Sequence, residues 1–225
     1  MINISMKILD LLERQIDTQV EPDAKYKRNF MRTRFDAGDE SIFGNWARVA
    51  PSKKDPHMVV KNSTIPSRKP DNYNKYIQEL IKRDLIDTNP HFPRVYNVKK
   101  ITDNLGQEVY KYVMEKLIPW DQLSLEEMQT LADRILAKPP TIPRSYTDKE
   151  EWNYLYDRIS AAFEDESKGD DSKIKQKSIK YAIKELIDIG RSWGLEWPND
   201  VGGNNIMFRR TPIGVQPVIT DPFYN

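Results

Sequence analysis

The chain has 225 residues, and its 35 basic and 34 acidic side chains leave a net charge of +1. The absence of cysteine excludes disulfides, a thiolate nucleophile and cysteine-ligated metal sites. Because the charge is balanced and no stretch is apolar enough to span a bilayer, we expect no nucleic-acid partner, no membrane partner and a cytoplasmic location.

The first half of the chain is predicted to form strands around one helix. Alternating and β-branched runs separated by turn residues indicate strands, and apolar residues at intervals of three and four indicate helices. In chain order, the patterns predict an amphipathic helix within 4–16, two strands within 41–50, a strand at 58–61, a helix over about 72–86 and an antiparallel pair at 92–98 and 109–115.

Beyond Pro119 the apolar pattern becomes mostly helical. Ser124 and Glu127 have the spacing of a capping box, which predicts the start of a helix. The predicted elements are helices over about 124–137, 149–163 and 174–193, an acidic and solvated connection at 164–171, and a hairpin over 206–220.

The two histidines are predicted to be structural. His57 and His91 each lie in a proline-flanked stretch, which is typical of turns and strand entries. We therefore expect neither a histidine metal pair nor a Ser-His-Asp site.

Two aspartates and an asparagine near the C-terminus form the pattern with the most chemical information. Asp200 and Asn205 are five positions apart, and the predicted hairpin would bring Asn205 close to Asp221. In kinase-type phosphoryl transfer, one aspartate accepts the proton of the attacking hydroxyl, while an asparagine and a second aspartate hold Mg²⁺. The spacing predicts Asp200 as the catalytic base and Asn205 and Asp221 as metal ligands. The alternative is a plain turn at Gly202–Gly203 and a strand end at Pro222.

The chain resembles the seryl/threonyl protein kinases and kinase-like proteins of tailed bacteriophages. The resemblance rests on Asn-Ile-Met-Phe at 205–208 and Ile-Thr-Asp-Pro at 219–222, with Asn-Pro-His-Phe-Pro-Arg-Val-Tyr at 89–96 as a further block. It is strong over about 199–223 and moderate over about 41–118. It implies an α+β, two-lobed protein-kinase-like fold, with an antiparallel sheet and one helix in the N-lobe and a mostly helical, minimal C-lobe.

The order of the predicted elements divides the chain into three parts. An N-terminal helix and lead-in would occupy 1–34, the N-lobe 35–118, and a truncated C-lobe with the catalytic loop and metal-binding hairpin 119–225. If the sequence is complete, it lacks an activation segment after Asp221, and a protein substrate would dock on other helices or on a partner.

The resemblance also assigns residues to an ATP site. Lys61, at the end of a Val-Val strand, corresponds to the lysine that neutralises the α- and β-phosphates, and Glu79 on the following helix would orient it. Gly44 is what remains of the glycine-rich loop over the phosphates, so ATP affinity could be low. Met114 would guard the back of the adenine pocket, and Glu115 and Leu117 would offer main-chain hydrogen bonds to adenine.

Three functions are compatible with these residues. The first is an ATP- and Mg-dependent phosphotransferase, acting on Ser or Thr of host proteins in the host cytoplasm. The second is a pseudokinase that binds and modulates a host protein without catalysis, which the reduced glycine-rich loop favours. The third is a small-molecule kinase of the aminoglycoside type, for which the sequence shows no dedicated pocket.

Overall fold

The computed structural model describes residues 42–43, 47–53, 55–63, 72–102, 108–198 and 200–223. The predicted N-terminal helix and Gly44 lie outside these residues. Within them, the chain forms a five-stranded antiparallel sheet, a separate two-stranded hairpin and five α-helices. This confirms the expected α+β class and the antiparallel sheet.

The five-stranded sheet is built from the first half of the chain. Its strands are β1 (Ile42–Phe43), β2 (Ala47–Pro51), β3 (Met58–Ser63), β4 (Val95–Thr102) and β5 (Glu108–Glu115). The spatial order is β1-β2-β3-β5-β4, and every neighbouring pair is antiparallel. Because β5 lies between β3 and β4, Lys61 on β3 is directly opposite Tyr112 on a central strand.

The predicted helix over 72–86 is interrupted. It forms α1 (Asn72–Lys82) and a single turn, α2 (Leu85–Thr88), separated at Asp84, which has a left-handed φ of 57°. This break lets the chain change direction so that Leu85 is buried. The inner face of α1 carries Tyr73, Tyr76, Ile77 and Leu80, as the periodicity predicts.

Three longer helices follow. They are α3 (Leu125–Ile135), α4 (Asp148–Ser167) and α5 (Lys177–Ser192). The predicted capping box of Ser124 and Glu127 is confirmed, and Thr147 and Glu150 form a second one at the start of α4. Gly194, with a φ of 82°, follows the end of α5, as expected for a glycine after a helix. None of the described helices is long and apolar enough to cross a bilayer.

The acidic stretch at 164–171 is only in part the solvated connection that its composition predicts, because 168–171 form an exposed turn but 164–167 belong to a helix. Helix α4 continues to Ser167. Glu166 is buried, accepts a hydrogen bond from the Ile174 amide at 3.3 Å, and lies 3.7 Å from the Lys180 ammonium. The Ile174 amide and Lys180 both lie outside this stretch of the sequence. Its composition therefore gives no sign that Glu166 is buried.

The C-terminal hairpin is confirmed. It consists of β6 (Ile206–Thr211) and β7 (Gly214–Ile219), paired in register from Ile206 with Ile219. Ile118 and Phe208 exchange two backbone hydrogen bonds of 2.8 Å, which attach the segment after β5 to β6. One apolar core spans the sheet, the helices and this hairpin, so the hairpin is held firmly beside the end of β5.

Candidate functional site

The fold brings Asp200, Asn205 and Asp221 together. The Thr220 amide and hydroxyl both donate to the Asn205 carbonyl, at 2.8 and 3.0 Å, so the two ends of the hairpin are adjacent. The Asp200 amide donates to the Pro222 carbonyl at 3.1 Å, which places Asp200 beside the residues that follow β7. The Asn205 side chain lies near enough to the Asp200 carboxylate to lower its pKa. The predicted spatial cluster is therefore formed.

The Asp200 carboxyl is in an electrically unfavourable position. Burial raises its pKa, the nearby Asn205 side chain lowers it in part, and the charges of Asp221 and Glu164 raise it further. A partly buried aspartate among other carboxylates is typical of a site where a cation or a proton transfer is required.

Lys61 reaches this cluster from the five-stranded sheet. Its ammonium lies 3.4 Å from Asp221 Oδ2 and 3.2 Å from the centre of the Tyr73 ring. The Lys61 side chain is only 14% exposed, against 36% for Asp221, so the pair is partly screened from water at the edge of the site. A lysine on β3 and an aspartate after β7, 160 positions apart, thus share one site.

The predicted pairing of Glu79 with Lys61 is not formed. Glu79 contacts the next turn of its own helix, with Lys82 at 3.2 Å and Arg83 at 3.3 Å. Arg83 also reaches Glu185 on α5 at 3.3 Å. Pairs at intervals of three and four need little ordering of the chain, and Tyr73 is the α1 side chain that faces Lys61. Glu79 therefore holds Arg83, which reaches α5, rather than orienting the lysine.

The end of β5 carries the residues that are expected to line an adenine pocket. Met114 is buried, and its sulfur accepts a 3.4 Å hydrogen bond from the Tyr73 hydroxyl. Among the described residues, the Leu117 amide and carbonyl have no hydrogen-bond partner, although Leu117 is only 8% exposed. A ligand with a donor and an acceptor edge could therefore pair with these two backbone groups. The Glu115 amide is instead taken by the Arg94 carbonyl at 3.1 Å.

The Glu115 side chain has a structural role that sequence reasoning missed. The Arg209 guanidinium binds both of its carboxylate oxygens, at 2.5 and 2.7 Å, and both side chains are almost fully buried. Arg209 also donates to the carbonyls of Pro90 and Phe92, at 2.7 and 3.2 Å. One arginine of β6 therefore joins the end of β5 to the segment before β4. A charged residue within an apolar strand was the signal that could have pointed to it.

Helix α4 supplies three side chains to the loop between Asp200 and Asn205, and none of these contacts is predicted from the sequence. Ser160 Oγ accepts a hydrogen bond from the Gly203 amide at 2.8 Å. Tyr156 and Glu164 lie one helical turn before and after Ser160 and contact the same loop. A Cβ atom added at Gly203 would lie 3.3 Å from the Tyr156 hydroxyl, and one added at Gly202 would lie 2.5 Å from the Glu164 carboxylate. Helical spacing of these residues gives no sign of function on its own.

His91 joins β7 to α5 through its imidazole ring. Its imidazole Nδ1 is 2.8 Å from the Pro217 carbonyl and its Nε2 is 2.9 Å from Ser178 Oγ on α5. The His91 carbonyl accepts a hydrogen bond from the Ile219 amide at 2.9 Å. His91 is fully buried, which agrees with the structural role predicted for it.

We expect His91 to make the stability of the fold depend on pH between about 6.5 and 4. Burial lowers the pKa of His91 from 6.5 to about 4, so in this range the unfolded chain binds a proton that the folded chain does not. The free energy of unfolding should therefore decrease as the pH falls through this window, by about 3 kcal/mol in total from this residue. Urea unfolding across the pH range measures the loss. In the His91→Gln variant the decrease should be smaller, and an unchanged pH profile would contradict this role.

The oxygen donors of the site suit a hard cation. Among the described residues, no group of three or more His, Cys, Asp or Glu side chains is arranged to hold a metal ion. Asp200, Asp221 and the Asn205 amide offer two carboxylates and one neutral oxygen, and Mg²⁺ commonly binds through one or two carboxylates together with substrate phosphates and water. The residues present therefore fit Mg²⁺ that arrives with a phosphate ligand, and they do not form a cage for the metal alone.

No model of a known protein family matches the chain, and no curated protein matches its sequence. The geometry of the site therefore carries the functional argument.

Proposed function

We propose that this chain is an ATP- and Mg-dependent phosphotransferase with a two-lobed protein-kinase-like fold, acting on Ser or Thr side chains of host proteins. The observation that carries the proposal is the meeting of Lys61, from the sheet, with Asp200, Asn205 and Asp221, from the C-terminal loop and hairpin. A lysine, a base and two oxygen ligands in this arrangement are the parts that phosphoryl transfer requires.

Each side chain has a distinct task in this proposal. Lys61 would neutralise phosphate oxygens of ATP, which requires it to exchange part of its contact with Asp221 for the nucleotide. Asn205 and Asp221 would hold Mg²⁺, which would neutralise negative charge on the phosphates of ATP. Asp200 would orient the acceptor hydroxyl and take up its proton. Catalysis would then consist mainly of positioning and charge stabilisation.

The adenine would bind at the end of β5. The unpaired amide and carbonyl of Leu117 would pair with its edge, and Met114 would form the back wall. In this proposal the N-lobe covers residues 35–118 and the C-lobe 119–225, with a lead-in over 1–34. Gly44, proposed to cover the phosphates, lies outside the described residues.

A pseudokinase is the second candidate. The feature that favours it is the reduced glycine-rich loop, of which Gly44 remains, because fewer glycines are available to bring backbone amides close to the phosphates. In that case the same fold would bind a host protein in the host cytoplasm without turnover.

One assay separates the two functions. Purified protein is incubated with γ-labelled ATP and Mg²⁺, alone and with a bacterial lysate, beside an Asp200→Ala variant. We expect label transfer that the variant loses. A Mg-ATP-dependent rise in melting temperature without transfer would indicate the pseudokinase, and the absence of both transfer and melting shift would contradict a nucleotide site.

A further inference from the structure

The catalytic loop is held from outside by two side chains that take no part in the proposed chemistry. Gly203 lies three positions after Asp200 and two before Asn205, so its peptide groups set the distance between the base and the metal ligand. The Gly203 amide donates to Ser160 Oγ at 2.8 Å, and the Gly203 carbonyl accepts from Trp120 Nε1 at 2.7 Å. Both groups of this residue are thus fixed by side chains from elsewhere in the fold.

The loop cannot easily hold this shape without such support. Gly203 has a φ of 46°, a left-handed conformation that only glycine adopts at little cost. Glycine also loses the most freedom on folding, so a loop with Gly202 and Gly203 between its two functional residues is intrinsically flexible. The loop has two hydrogen bonds of its own, from the Asn205 amide to the Gly202 carbonyl at 3.0 Å and from the Ile206 amide to the Gly203 carbonyl. These close only its last turn, so the contacts with Ser160 and Trp120 supply further order.

The two supporting side chains are themselves rigidly placed. Ser160 is 8% exposed in the middle of α4, and Trp120 is 4% exposed. The Trp120 ring packs edge-on against Phe208 of β6 at 4.5 Å and Tyr156 of α4 at 4.8 Å. Ser160 belongs to α4, and Trp120 packs against β6. The two hydrogen bonds therefore fix the loop relative to α4 and β6.

We propose that Ser160 and Trp120 are positioning residues, which lock Gly203 and so hold Asp200 and Asn205 at the spacing that Mg-nucleotide binding needs. We call the two hydrogen bonds from Ser160 and Trp120 to Gly203 the clamp. That the ligand is Mg-ATP rests on the proposed function, whereas the clamp itself does not. Ser160 and Trp120 do not touch the reacting atoms in this scheme. Their effect should appear as loop mobility and as weaker binding of Mg-ATP.

Two variants test the clamp. Ser160→Ala removes the acceptor for the Gly203 amide, and Trp120→Phe removes the indole donor while keeping an aromatic ring. Ser160→Thr keeps the hydroxyl and should restore the loop. Ser167→Ala is the matched control, because Ser167 lies on the same helix and is more deeply buried, but its hydroxyl is bound to the Glu164 carbonyl of its own helix.

The first measurement is hydrogen–deuterium exchange of the peptide covering 200–205. We expect exchange in this loop to be about fivefold to tenfold faster in Ser160→Ala and Trp120→Phe, the factor expected for the loss of one buried hydrogen bond. Exchange in α4 should stay unchanged, and Ser160→Thr and Ser167→Ala should behave like the wild type. Equal loop exchange in the wild type and both test variants would overturn the clamp.

The second measurement is Mg-ATP affinity by calorimetry on the same proteins. We expect about tenfold weaker binding in Ser160→Ala, with recovery in Ser160→Thr. Faster loop exchange with unchanged Mg-ATP affinity would overturn the positioning role. If the wild type binds no Mg-ATP, the proposed function fails, and the exchange experiment still decides whether Ser160 and Trp120 hold the loop.

Discussion

Asp221→Asn is expected to lower phosphoryl transfer by on the order of 10³-fold or more, with little loss of stability. The substitution keeps the size of the side chain but removes the charge that Mg²⁺ and Lys61 both require. Because Asp221 is 36% exposed, its ion pair with Lys61 at 3.4 Å should contribute less than about 1 kcal/mol to folding. Loss of activity can therefore be separated from loss of structure.

The measurement is the initial rate of label transfer from γ-labelled ATP, beside the melting temperature of each protein. Asp188→Asn is the matched control, because Asp188 is an exposed aspartate of α5 that is 3.9 Å from Arg191 in a local pair. The control should retain wild-type activity. A rate for Asp221→Asn within about threefold of the wild type would show that Asp221 does not hold the metal.

Arg209→Met is expected to destabilise the fold by about 3–5 kcal/mol, the largest effect on stability that we predict. The variant leaves the buried Glu115 carboxylate without its bidentate partner, and the Pro90 and Phe92 carbonyls without a donor. The carboxylate would keep the hydrogen bond from the Arg94 amide at 2.8 Å, but no cation would then offset the removal of its charge from water.

A double-mutant cycle in urea isolates the pair. Arg209→Met combined with Glu115→Met should be more stable than Arg209→Met alone by about 1–2 kcal/mol, because no charge is then left buried. Arg210→Met is the control, since Arg210 on the same strand makes an exposed pair with Glu127 at 3.3 Å and should cost less than about 1 kcal/mol. A loss of stability in Arg209→Met no larger than that in Arg210→Met would contradict the stabilising role of the Arg209–Glu115 pair.

Local signals in the sequence were sufficient for most of the elements. The capping box at Ser124, the stop at Gly194 and the turn between β6 and β7 depend on residues within a few positions of each other. The approach of Asn205 to Asp221 could also be predicted, because a hairpin brings the residues at its two ends together. These features could be predicted because the interactions that form them are short in sequence.

Features that depend on distant partners could not be predicted in this way. The resemblance pairs Glu79 with Lys61, but in the structure Glu79 forms ion pairs with Lys82 and Arg83. Composition predicts that Glu166 is solvated, but its carboxylate is buried and accepts a hydrogen bond from the Ile174 amide. No periodicity indicates that such a residue faces a partner in another element, because this depends on how helices and strands pack.

Ser160 and Arg209 were missed for the same reason. Ser160 reaches Gly203 across 43 positions, and Arg209 reaches Glu115 across 94. Ser160 is an ordinary polar residue in its own helix, and the charge of Arg209 within an apolar strand marks the residue as unusual without indicating its partner. Their roles become visible only when the loop after α5 and the end of β5 are placed against α4 and β6.

Calorimetric titration with ATP in the presence and absence of Mg²⁺ shows whether Lys61, Asp200, Asn205 and Asp221 form a nucleotide site, and it needs no knowledge of the acceptor. We expect one-to-one binding of Mg-ATP, clearly weaker binding when EDTA replaces Mg²⁺, and loss of binding in Lys61→Met. We also expect that Asp221→Asn abolishes the difference between Mg²⁺ and EDTA. No heat of binding and no shift in melting temperature at about 1 mM Mg-ATP, which lies at the upper end of common substrate concentrations, would contradict this nucleotide site.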